Sequence, residues 1–230
     1  MPTFIQSTHV VYAFFMIAGF LYFWWLSRKP KGIPRIEYLI AMFIPVWSGT
    51  MYLTIAYDIG VIELGGTPVF FGRYLDWLIT TPLLLVALAL TAMFREKKKD
   101  FTILIALVIA DIVMILTGMV ADIAVTSSKW IWYSIGVIAL ICIFYFVFGP
   151  LNKIAKRGGP DLHKHYRICA LYLSFFWIAY PVFWALSPSG TGAASLSSSV
   201  IAFIVLPIFS KVGFSILDIT GLRKLSAREQ

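Results

Sequence analysis

The sequence predicts an all-α membrane protein, a seven-transmembrane helix bundle with its N-terminus outside and its C-terminus cytoplasmic, as one domain over residues 1–230. Three observations carry that prediction. Hydrophobic residues make up 60% of the chain and charged residues 13%, about half the charged share of a soluble domain. At roughly 20 residues per hydrocarbon crossing, the length leaves room for about seven spans and short connections, with no separate soluble domain. The basic residues fall on alternate connections, as expected of a multi-pass protein of the plasma membrane.

Apolar runs read against breakers place the elements in order. The first span, 4–27, has no basic segment before it, so it reads as a retained helix rather than a cleaved signal peptide. "RKPKGIP" ends it, and a second span follows at 34–57, closed by "LGGTP". The third, 71–93, runs to "REKKKD", and the fourth covers 100–121. The fifth, 129–150, opens on Lys129, whose long stem lets the ammonium snorkel to the outer interface. "KRGGP" separates it from the sixth, 165–187, and "SPSGTG" separates that from the seventh, 195–221. No internal repeat is visible.

Of the 19 Lys and Arg, 16 lie on the connections 1–2, 3–4 and 5–6 or in the C-terminal tail, which the positive-inside rule assigns to the cytoplasm. The formal charge of +8 is therefore topology, and with no basic stripe on a soluble module nucleic acid is not an expected partner. The partner is the lipid bilayer. Cys142 and Cys169 fall in different spans without metal-type spacing and read as small apolar core residues, so no metal site is expected.

Two cations have no such explanation. Lys211 lies inside "LPIFSKVGF", where a charge costs about 2.5 to 3.5 kcal/mol on insertion scales, and Arg73 lies inside the third span. Apart from loop and interface acids, the spans hold Asp76, Asp111 and Asp218. Asp76 shares a helix face with Arg73 and Thr80. A Lys211–Asp76–Arg73 cluster could equally pin helices together or carry a function. Trp77, Trp177, Tyr180 and Trp184, with Trp132 and Tyr133 in "KWIWYS", add aromatic side chains, several of them far from the interfaces that Trp prefers.

"RYLDWLITTPLLL" in the third span, "WIAYPVFW" in the sixth and "SKVGF" in the seventh, in that order over essentially the whole chain, resemble the microbial rhodopsins. The resemblance implies all-trans retinal bound to Lys211 as a protonated Schiff base, with Asp76 as counterion. It implies that Tyr74, Trp77, Trp132, Trp177, Tyr180, Pro181 and Trp184 line the pocket, that Thr80 supports Asp76, that Arg73 lies on the outward path, and that Asp111 lies near the ring end.

Departures narrow the expectation. Outward pumps of the family usually carry a second aspartate four residues before the lysine, where this chain has Pro207, and a donor carboxyl eleven residues after the counterion, where it has Ala87. No Asp or Glu lies between Trp184 and Lys211, so both ends of an outward relay look impaired. Asp218, seven residues past Lys211, falls about 10 Å nearer the cytoplasm and can serve as an inner acceptor. With Pro207 and "PVWSG" at 45–49, it resembles the xenorhodopsin branch. No histidine lies on the second span, so Asp218 cannot be paired as in some inward pumps of that branch.

The function expected is light-driven inward proton pumping, transport rather than enzyme chemistry. The alternative is a photochromic sensory rhodopsin signalling through a soluble cytoplasmic transducer, and a homotrimer is common among such proteins.

Overall fold

The computed structural model describes residues 2–124 and 126–228. Among these, seven helices are long and apolar enough to cross a membrane: α1 (Thr3–Ser27), α2 (Arg35–Ala56), α3 (Phe71–Ala92), α4 (Phe101–Ile123), α5 (Lys129–Arg157), α6 (Pro160–Leu186) and α7 (Leu196–Ser226). They are apolar on every side, as a lipid-solvated helix must be. Phe14, Trp25, Tyr145 and Phe175 lie exposed on the outer surface, while Leu84, Leu85, Ile143, Cys169 and Phe214 close the interior.

Local chemistry sets the ends. The Asp100 side chain accepts the amides of Thr102 and Ile103 at 3.0 and 3.4 Å, capping α4, and Ser195 accepts that of Ser198 at 3.1 Å at the start of α7. Pro160 opens α6 behind Gly159, whose φ of 107° a side chain would strain. "LGGTP" is more than a connection. Strands β1 (Ile62–Leu64) and β2 (Thr67–Val69) pair antiparallel, turned by Gly65 and Gly66 at φ of 57° and 77°, the left-handed pair a two-residue hairpin needs.

Three helices run further than expected. α5 continues past Phe148 through a π-helical turn at Val147–Leu151, although a Gly-Pro pair ordinarily ends a helix. The Tyr166 hydroxyl donates to the Val147 carbonyl in that turn at 2.7 Å. α6 starts at Pro160 rather than near 165, and α7 extends to Ser226, so Arg223 is helical. α7 has its own π-helical turn, Ile208–Gly213, directly after Pro207. Proline at 207 has no N–H for the Phe203 carbonyl, and the Tyr52 hydroxyl from α2 donates to that oxygen instead, at 2.8 Å.

Polar contacts tie the two ends. At the basic end, which carries connections α1–α2, α3–α4 and α5–α6, Arg223 donates to the carbonyls of Leu26 and Lys29 and to the Tyr38 hydroxyl. Arg95 forms a bidentate pair with Asp161 at 2.7 and 2.9 Å and donates to the Gly158 carbonyl. At the hairpin end, Lys129 donates to the carbonyls of Ser189 and Gly190, both at 2.7 Å, so the ammonium caps a loop rather than merely reaching water. Arg95→Met is expected to cost about 1–2 kcal/mol, since a charge-assisted pair and a carbonyl bond go together. Thermal unfolding in detergent should show a lower midpoint; an unchanged one would mean that water replaces the pair fully.

Candidate functional site

α3 and α7 bring Asp76 and Lys211 into direct contact, both essentially inaccessible at 0% and 1% exposure. Each Asp76 oxygen has a further donor: the Thr80 hydroxyl, one turn on, is shared between the Asp76 carbonyl at 2.8 Å and Oδ1 at 3.1 Å, and Ser48 of α2 donates to Oδ2 at 3.0 Å. Ser48 has one proton, already committed to Asp76. It therefore accepts from Lys211 at 2.9 Å and from the Tyr12 hydroxyl of α1 at 2.5 Å. Four helices thus hold one buried ion pair in a fixed geometry.

Beside that pair lies an apolar cavity lined by Tyr74 and Trp77 of α3, Tyr133 and Leu140 of α5, Trp177, Tyr180, Pro181 and Trp184 of α6, and Phe203 of α7. Trp77 meets Tyr180 edge to face at 5.3 Å, and the Tyr180 hydroxyl bonds Ser210, the residue before Lys211, at 3.1 Å. Thr81 of the lining donates to Asp111 at 2.7 Å, which sets Asp111 just behind the cavity wall. Trp132 is not part of the lining. Its side chain is 39% exposed on the outside of α5, and Tyr133, one residue on, faces inward instead. Pro207 is buried but shapes α7 through its π-helical turn without lining this cavity.

Arg73 does not join the ion pair. It lies toward the hairpin end, its guanidinium 4.1 Å over Phe70 and 4.9 Å from the Phe203 ring centre, with Nε and Nη2 lacking hydrogen-bond partners among the described residues. A smaller cavity there brings Arg73 near Asp122, which accepts the Trp184 indole N–H at 3.0 Å. The hairpin end therefore has a carboxylate after all, supplied by α4 rather than by the α6–α7 connection.

On the basic side of Lys211, Asp218 is 2% exposed and not a solvated acid at a helix end. Thr91 of α3 donates to its Oδ1 at 2.6 Å, and His165 Nε2 and Cys169 Sγ of α6 lie 3.6 and 3.7 Å from the same oxygen. Its histidine partner is thus on α6, not α2. Ala87, on α3 between Asp76 and the Asp218 partner Thr91, is buried among apolar groups. Glu37 of α2 is a further buried acid, 3% exposed. Cys142 departs from expectation in the other direction, being exposed on the surface of α5.

Sequence reasoning passed over Tyr12, Glu37, Asp122 and His165. The signal available for the acids was their position within a turn or two of a span end, which normally indicates an interfacial residue.

Comparison with known proteins agrees with this architecture. Archaerhodopsin-3 of Halorubrum sodomense is 31% identical over 211 residues, covering 88% of this chain and 79% of that protein. The structure of cyanorhodopsin from Calothrix sp. NIES-2098 superposes with a TM-score of 0.90 at 27% identity, over 99% of this chain and 98% of the other. The light-driven proton pump LR (Mac) of Leptosphaeria maculans superposes at 0.86 and 27% identity, over 96% of both. Seven membrane-length helices and these relatives make the protein a multi-pass protein of the cell membrane. The model of the bacteriorhodopsin-like protein family matches residues 3–225, and the chain belongs to that family, the type 1 microbial rhodopsins.

Proposed function

We propose that the protein is a light-driven inward proton pump of the xenorhodopsin branch, with its basic end in the cytoplasm. Family membership implies a retinal chromophore on a lysine, and the residues present fit one: a buried amine at Lys211, a carboxylate against it, and an apolar slot beside both. All-trans retinal joined to Lys211 as a protonated imine supplies light absorption and the change of shape that redirects the proton-bearing nitrogen.

Asp76 balances the positive charge that Lys211 then carries, and Ser48 and Thr80 hold both carboxylate oxygens in place. Asp218 receives the proton on the basic side, with Thr91, His165 and Cys169 around it. Arg73 and Asp122 line the side from which a proton returns to Lys211. Ala87 offers no acid where an outward pump carries its donor. Direction then follows from which side Lys211 communicates with after illumination, a two-state switch.

The observation that carries this reading is the burial of Asp218 among hydrogen-bonding and basic groups on the basic side of Lys211, with an apolar residue at 87. The test is the light-induced pH change of an unbuffered suspension of cells expressing the protein with retinal. Alkalinisation abolished by a protonophore is expected. Acidification would mean outward pumping, and a correctly coloured protein without any signal would favour a sensory rhodopsin that docks a soluble transducer on its basic face.

Asp76→Asn is expected to move the absorption band to longer wavelength, because the counterion stabilises the charge in the dark state more than in the excited state. An unchanged spectrum would mean that another acid, Asp122 included, compensates the charge.

A further inference from the structure

His165 and Cys169 are one helical turn apart on α6, and α7 brings Asp218 to both. Their potential ligand atoms form a nearly equilateral triangle: Nε2 to Sγ 3.6 Å, Sγ to Oδ1 3.7 Å, and Nε2 to Oδ1 3.6 Å. A tetrahedral zinc ion with bonds of about 2.0–2.3 Å separates its nitrogen, oxygen and sulfur ligands by about 3.3–3.6 Å. The triangle therefore matches one face of that tetrahedron with only small side-chain movements. Among the described residues, it is the group of three such side chains that meets this condition.

We propose that His165, Cys169 and Asp218 form a binding site for a thiophilic divalent cation of the zinc class near the basic end of the bundle. The donor set, one imidazole, one thiolate and one carboxylate, suits zinc and disfavours magnesium or calcium, which take oxygen alone. A fourth position is open to water or to the Thr91 hydroxyl, which already touches Asp218 Oδ1 at 2.6 Å. The imidazole, with 11% of its side chain exposed, gives the route in from solvent, while Cys169 and Asp218 lie deeper.

The fold makes room for this triangle at one backbone position. A Cβ on Gly221 of α7 would overlap the His165 ring, so glycine there allows the imidazole to lie against α7 beside Asp218. Binding releases the Cys169 thiol proton to water and leaves the other two ligands as neutral imidazole and carboxylate, so charge and protons balance without a co-reactant. A cation there takes the Asp218 oxygen that the pump reading uses. The effect on transport rests on that reading; the site itself does not.

Zinc titration of the purified, retinal-loaded protein in the dark, followed by calorimetry and zinc X-ray absorption, tests the site. One equivalent with a sulfur ligand in the first shell is expected, weakened at least tenfold in Cys169→Ser, His165→Gln and Gly221→Ala. The retained visible band shows that each variant is folded. His163→Gln, which alters the neighbouring histidine bonded to Asn152, should bind as the parent does. No stoichiometric binding, a shell without sulfur, or equal affinity in Cys169→Ser and His165→Gln would overturn the proposal. A cation held instead by His163 would show as loss in that variant and would also overturn it. Because the measurement uses no light, its failure leaves the pump reading untouched, and outward pumping would leave the site untouched.

Discussion

Lys211→Ala, expressed with all-trans retinal, is expected to give colourless membranes, with the visible band reduced at least a hundredfold relative to the parent. The Lys211 amine contacts a buried carboxylate and follows Ser210, which the cavity residue Tyr180 bonds, and neither Ser48 nor Tyr12 can form the charged imine. The substitution also leaves Asp76 buried without its cation, a loss of roughly 3–5 kcal/mol when one partner of such a pair is removed. Helical circular dichroism at low temperature separates loss of colour from loss of fold. A helical protein that still shows the visible band would end the assignment of Lys211.

Asp218→Asn is expected to keep the colour and lose the transport. Its carboxyl lies about 10 Å along α7 from Lys211, beyond direct influence on the ion pair, so the absorption maximum should move little. The amide keeps the size of the side chain, but it cannot take up a proton at neutral pH. The initial rate of light-driven alkalinisation should fall at least tenfold, while Asp218→Glu should recover part of it. Unchanged transport in Asp218→Asn would remove this residue from the path and leave Glu37, the other buried acid of the basic end, as the next residue to test.

Part of the site was legible because buried charge is costly in hydrocarbon. Lys211 and Asp76 stand out in any reading of the spans for that reason, and the aromatic residues of α3 and α6 follow from the motifs around them. Trp132 shows where that reading fails. Adjacent residues on a helix point about 100° apart, and in a span that is apolar all round nothing in "KWIWYS" says whether 132 or 133 faces the cavity. Asp122 and Glu37 lie close to span ends, where sequence alone marks an acid as interfacial, yet both reach inward. Cys169 and His165 gave no signal, since the spacing that matters joins them to a residue some fifty positions away.

By itself the sequence determined the number of spans, the basic end, the lysine that must be neutralised and the absence of an acid at 87 and 207. Tertiary structure alone decided which residues meet. It put Tyr12 and Ser48 on the ion pair, carried α5 through its Gly-Pro pair, gave the Phe203 carbonyl to Tyr52, and assembled His165, Cys169 and Asp218. The physical reason is the solvent. Lipid is as apolar as the protein interior, so no hydrophobic period marks the inward face of a span, and helix rotation is settled only by packing, by local π-helical turns and by the few polar groups that must find partners.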